Sequence, residues 1–276
     1  MRFLRSHQAV FLGACLLAKS GYAAALITSA NMLLTENFDT LASSGTTTFT
    51  NNLTIPNWYS ARTGTGTTIV ANDGGSSTGN LYSYGVNSNI DRALGALPSS
   101  NASVGDLYYG WVLQNTSGGP VTLSLSYTGE QWRNSGAGAQ TVSFSYLRSM
   151  TAPTGSLLEF QSAGTPLTSL NFTSPITGGG SGRLDGNLAV NQVALSSNLN
   201  LSTPLANGEY ILLRWADPLQ VGASHGLAID NLTVTVVPEP NTLALLMVST
   251  ICMASITRLK AARSRQRAEP LRSGGG

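Results

Sequence analysis

The sequence predicts an all-β protein whose body is a two-sheet sandwich, jelly-roll or lectin-like in form. Three observations predict it. Short stretches alternate apolar residues with Ser or Thr, turn-forming clusters separate them, and only 10% of the 276 residues are charged while thirty are glycine. Such a composition is unlike that of a helical bundle or coiled coil. No part of the body shows helical periodicity over ten residues.

At the N-terminus, Arg2 and Arg5 precede an apolar run over residues 9–18, followed by Gly21-Tyr22-Ala23-Ala24-Ala25. Basic residues, an apolar run and small residues in that order predict a signal peptide over residues 1–25, removed by signal peptidase near Ala25. Cys15 lies in that segment and Cys252 near the other end. The body, residues 26–236, therefore has no cysteine, and its fold must rest on its core.

Within the body, Val121-Thr122-Leu123-Ser124-Leu125-Ser126-Tyr127 and Val142-Ser143-Phe144-Ser145-Tyr146 put apolar side chains on one face and hydroxyls on the other. Residues 227–236 continue this pattern, and residues 210–215 read as a strand buried on both faces. Turn signals fall at 73–75, 115–120 and 178–180. Early and late strands are expected to pair at a sheet edge. The body carries six arginines, no lysine and eleven acids. That acidic balance argues against a nucleic-acid partner held by phosphate neutralisation.

Several groups invite a chemical reading. Gly222-Ala223-Ser224-His225-Gly226 matches the GxSxG pattern of serine hydrolases, but a strand-like segment follows where a nucleophile elbow needs a helix. Glu130, among Tyr127, Trp132 and Arg133, is the best acid for glycoside hydrolysis. A plain Glu130–Arg133 ion pair is the alternative, with Asp91–Arg92 and Arg214–Asp217 as similar pairs. No His/Cys set has zinc spacing. Asp39 and Asp230, near the first and last strands, could meet and hold a structural calcium with carbonyl oxygens, or could be ordinary surface acids at strand ends. Aromatic rings could stack on sugars, Trp132, Tyr109 and Trp111 foremost, or could fill the core.

At the C-terminus, Val237-Pro238-Glu239-Pro240 is followed by an uncharged stretch, 242–257, and by the cations Arg258, Lys260, Arg263, Arg265 and Arg267. Sixteen helical residues span roughly 24 Å, slightly under a hydrocarbon core of about 30 Å, so the segment reads as a single short transmembrane helix. The cations would hold its end cytoplasmic, with the body on the opposite side.

Residues 237–276 resemble a PEP-CTERM sorting signal, with its Pro-Glu-Pro motif, apolar helix and basic cluster in order. The resemblance implies a bacterial exported protein, recognised and released by an exosortase, a membrane-embedded cysteine protease. The body in turn resembles a sandwich module of bacterial surface and secreted proteins through Asn37-Phe38-Asp39-Thr40-Leu41, Asp91-Arg92-Ala93-Leu94-Gly95, residues 127–133 and residues 226–232. The expected function is an exported cell-surface or extracellular-matrix protein with a non-catalytic structural or adhesive role. A module binding extracellular polysaccharide and a secreted polysaccharide hydrolase are the alternatives.

Overall fold

The computed structural model describes residues 24–199 and 201–238. Most of the expected signal peptide, and the expected sorting signal from Glu239 onward, lie outside the described residues. Along the chain run β1 (Ala25–Ile27), β2 (Leu33–Glu36), β3 (Thr46–Thr48), β4 (Trp58–Arg62), β5 (Thr68–Asn72), β6 (Asn80–Tyr84), β7 (Ala93–Leu97) and β8 (Leu107–Asn115). They are followed by β9 (Val121–Asn134), β10 (Thr141–Ser149), the short helix α1 (Leu157–Gln161), β11 (Thr165–Pro166), β12 (Phe172–Thr173), β13 (Gly182–Arg183), β14 (Gln192–Asn198), β15 (Tyr210–Asp217) and β16 (Gly226–Pro238). Among the described residues no helix is long and apolar enough to cross a membrane.

The strands form two sheets. One is ordered β1-β8-β15-β10-β11, with β4 also on β8 and β12 on β10; the other is ordered β13-β9-β16-β7-β6-β5-β3, with β14 on β9 and β2 on β16. Consecutive long strands alternate between sheets, so each pairs with a partner distant in sequence. The expected pairing of early and late strands is present: Leu33–Glu36 runs antiparallel to residues 232–235 of β16.

The alternating pattern of β9 explains its place. Val121, Leu123, Leu125 and Tyr127 point into the core, while the Ser and Thr between them are half-exposed. In β15, Ile211 to Trp215 are all buried, Arg214 included, as expected of a strand buried on both faces. The main core joins both sheets and centres on Trp58, Trp111 and Trp215, with ring centroids 5.7 Å apart from Trp58 to each of the others.

Partner β16 shows where alternation breaks. Leu227 and Ile229 face inward, and so do Leu232, Val234 and Val236, a shift of one residue in phase. A bulge between Asp230 and Thr233 absorbs the extra residue, and Asn231 takes φ 52° there. Asn tolerates this left-handed region better than most residues. The strand continues two residues beyond the expected body limit, with Val237 paired to Thr122, and ends at Pro238, which offers no amide to a ladder.

The simple ion pairs expected from sequence do not form. Among the described residues the ion pairs are Arg148–Glu209 and Arg183–Asp73. Arg133 is held by the carbonyls of Gly74 and Gly75, and Arg214 and Asp217, three positions apart in β15, project to opposite faces. Arg214 instead donates to the carbonyls of Glu159 at 2.6 Å and Ser162 at 3.1 Å, at the end of α1. Arg92 turns inward, donating from Nε to Ser83 Oγ at 2.9 Å and from Nη2 to the Ser83 carbonyl.

Candidate functional site

Around the junction of β2, β7, β9 and β16 the fold gathers five carboxylates. Glu36 ends β2, Asp39 follows in the next turn, Asp91 precedes β7, Glu130 lies on β9 and Asp230 sits at the β16 bulge. Glu130 and Asp230 are buried. Glu130 accepts hydrogen bonds from Trp132 Nε1 at 2.9 Å and Gln192 Nε2 at 3.1 Å. Asp230 Oδ2 accepts from Asn231 Nδ2 at 2.8 Å, whereas its Oδ1 is buried without a partner. Such an orphaned acceptor is uncommon and calls for a physical account.

The carboxyls perturb one another. Burial, reinforced by the charge of Asp230, pushes Glu130 up to about 8 against the lowering effect of its hydrogen bonds. Burial, with Asp91, Asp39 and Glu36 adding repulsion, pushes Asp230 up to about 7. Glu36 is also raised by burial, although its Oε1 accepts from the Phe38 amide at 2.8 Å. The pair Glu130 and Asp230 therefore holds protons where isolated carboxyls would not.

The backbone beside this cluster is unusual at two points. Phe38, fully buried, has φ 57°, and Asn231 has φ 52°. A bulky residue in the left-handed region is strained, and such strain persists only where surrounding contacts enforce it. Phe38 is held edge-on against Trp58 at 4.8 Å between centroids. The turn that follows is fixed by Asn37 Nδ2 donating to Asp39 Oδ2 at 2.6 Å and by the Arg92 amide donating to Asp39 Oδ1 at 3.2 Å.

Asp39 and Asp230, which could meet by the sequence reading, lie near enough for Asp39 to add to the repulsion that raises Asp230. Among the described residues, however, no three His, Cys, Asp or Glu side chains are grouped closely enough to hold a metal ion. Carboxylates alone do not complete a calcium shell. Within this cluster, Asp230 Oδ1 is the carboxylate oxygen that is buried without a partner. Sequence reasoning singles out neither Glu36 nor Asp91 for this site, though both lie in or beside the quoted Asn37 and Asp91 motifs.

The aromatic residues expected as sugar platforms are core residues. Trp132 is 1% exposed, Tyr109 0% and Trp111 4%. Trp132 stacks on Tyr84 at 6.0 Å, gives its indole N–H to Glu130, and lies so close under Gly186 that a Cβ there would come within 2.3 Å of the ring. Trp111 stacks on Trp58, and Tyr109 on Trp215. The physical reason is common to all three: a cysteine-free sandwich fills its interior with its largest apolar side chains. Burial also keeps Glu130 from a polymer chain.

The Gly222–Gly226 match resolves into a loop clamp. His225 does not engage Ser224. Its Nδ1 accepts from the Ser135 amide at 2.9 Å, and its Nε2 donates to the Gly138 carbonyl at 3.0 Å, a pattern that fixes the neutral tautomer. The lone pair a general base would use is thereby occupied, and the Ser135 hydroxyl donates to the Ala223 carbonyl at 2.8 Å. Burial lowers the His225 pKa, consistent with the neutral ring. Gly226 opens a strand, as expected.

No family model matches the chain. No curated protein matches it either. Among solved structures it is similar to the K2 cleaved adhesin domain of Lys-gingipain at 14% identity, covering 74% of this chain and 97% of that one with a TM-score of 0.34. It is similar to the enzymatically active domain of tailspike protein 4 from bacteriophage CBA120 at 13% identity and TM-score 0.32, covering 66% of this chain and 19% of that one. The carbohydrate-bound TmCBM61, in complex with β-1,4-galactotriose, gives 8% identity and TM-score 0.27 over 54% of this chain and 72% of that one. Likeness at this level is remote and carries no argument about activity.

Proposed function

We propose that this protein is an exported, non-catalytic structural or adhesive sandwich of the cell surface or extracellular matrix. The observation that carries the reading is the disposition of the aromatic residues: every one among the described residues is buried except Tyr210, which is half-buried. That leaves rings to hold the sandwich together rather than to grip a sugar face. A hydrolase is disfavoured by the burial of Glu130 and the occupied lone pair of His225.

In this reading signal peptidase releases the N-terminus, the sorting signal of residues 237–276 anchors the chain briefly in the inner membrane, and an exosortase-type protease acts at its Val237-Pro238-Glu239-Pro240 motif. The motif overlaps the end of the last strand, where Val237 and Pro238 pair with Thr122 and Val121, so cleavage beyond Pro238 would leave the sandwich whole. Replacing Pro238, Glu239 and Pro240 with alanine and following the tagged protein by cell fractionation tests it. An uncleaved, membrane-retained form is expected; release as in the wild type would refute the sorting role.

A calcium ion at the acidic junction fits the same reading as a structural part. Asp230 would be its buried ligand and Asp39 its outer one, with carbonyl oxygens and water completing the shell, as is usual for this ion. It would neutralise the repulsion that raises the Asp230 pKa.

A further inference from the structure

At one end of the larger sheet, the loop after β7, the end of β9 and the loop joining β15 to β16 enclose an open cavity of about 390 Å³. Its size lies within the range of small-molecule sites, about 300–1,000 Å³. Its lining is mixed but rich in hydroxyl residues. Six serines, Ser224 among them, and Arg133 line it beside the apolar Leu97, Pro98 and Leu219, and neither a carboxylate nor an aromatic ring does.

Two features mark this cavity as built for a ligand. Ser224 is 8% exposed, and its hydroxyl is buried without a hydrogen-bond partner. An unmade bond of this kind costs about 1–3 kcal/mol, so something must justify keeping a hydroxyl there rather than a methyl group. Arg133 is held in place through Nη1, which donates to the carbonyls of Gly74 and Gly75 at 3.1 Å each. It takes part in neither ion pair of the described residues, and the carboxylate nearest along that loop, Asp73, is already paired with Arg183 at 2.6 Å. The positive charge at the cavity is therefore not cancelled by a salt bridge.

From this geometry we infer that the cavity binds one acidic sugar unit of an extracellular polysaccharide, a residue bearing a carboxylate. Ring hydroxyls exchange hydrogen bonds with the serines, and the carboxylate takes the free side of the Arg133 fork, a geometry suited to planar anions. A lone inorganic anion would leave most of the volume and most of the serines unused. The inference deepens the proposed surface role by naming the chemistry of the polymer met there, and it rests on that role only for where the meeting occurs.

The test is calorimetric titration of the purified full-length protein with a galacturonic acid trimer and with the uncharged galactose trimer, at low and high salt. Saturable binding of the acidic trimer is expected, weakened by salt, with the neutral trimer weaker by about tenfold or more. Ser224→Ala should leave the melting temperature unchanged or raised while weakening the acidic trimer several-fold, and Arg133→Gln should bring it down to the neutral level. Equal affinity for the two trimers, no binding of either, or unchanged binding in Ser224→Ala would overturn the inference. So would full displacement by inorganic sulfate at equal affinity, which would mark a simple anion site. Because purified protein is used, failure here leaves the sorting experiment untouched.

Discussion

Glu130 shows how far a single residue's role depends on its surroundings. In the sequence it stands among Tyr127, Trp132 and Arg133 like an exposed catalytic acid; in the fold it is 1% exposed and bonded to Trp132 and Gln192. Its carboxyl is raised from 4.5 to about 8, and that of Asp230 from 3.8 to about 7. Between those limits the native state binds more protons than the unfolded chain, so stability must fall as pH rises from about 4 to about 8. Denaturant titrations at about pH 5 and about pH 9 should show this loss. Glu130→Gln should remove part of it, gaining on the order of 1–3 kcal/mol at the higher pH, with Gln192 turning its amide to meet the new one. A variant with the same pH slope as the wild type would show that Glu130 does not titrate in this range. His225 works in the opposite sense, since its lowered pKa removes stability as pH falls below its unfolded value.

Among the elements, β16 decides most of the site. Its bulge changes the inward phase between Ile229 and Leu232 and leaves Asp230 buried at the break. Asn231 occupies the left-handed position that makes this local shift, and its side chain bonds Asp230. A β-branched residue is strained at such a φ, so Asn231→Val should lower stability by about 1–3 kcal/mol and disturb the Asp230 environment. Thermal melts of the variant measure the first effect. A variant as stable as the wild type would mean that the bulge relaxes without cost. The strands themselves were legible: β9, β10 and β16 carry patterns that a period of two reads directly, and β15 reads as a strand buried on both faces. The bulge was not, because Asp-Asn is common in turns and nothing local distinguishes a phase shift inside a strand from an ordinary continuation.

At the scale of the molecule, the sandwich is closed by contacts between distant segments, β2 against β16 and β1 against β8. If calcium binds at the acidic junction it ties the first of these closures, where the like charges otherwise push apart. The melting temperature should then rise in excess calcium relative to chelator, more at about pH 8 than at about pH 5, because the deprotonated carboxylates bind the ion. The Asp230→Asn variant should lose this rise. An equal melting temperature with calcium and with chelator at both values would exclude the ion from the junction and leave protons as its means of neutralisation.

By itself the sequence determined the all-β class, the main strands and the cysteine-free character of the body. These are written in composition and short-range order: alternation of period two, turn-forming clusters between the strands, and the placing of the two cysteines. Only the tertiary structure decided which polar residues meet. It separated Glu130 from Arg133, joined His225 to Ser135 in place of Ser224, drew Trp132, Tyr109 and Trp111 inside, and gathered Glu36 and Asp91 beside Asp39 and Asp230. The reason is geometric. Strand pairing brings together residues up to two hundred positions apart, and a burial that removes water from a carboxyl or a ring depends on those long-range neighbours, which no local pattern encodes.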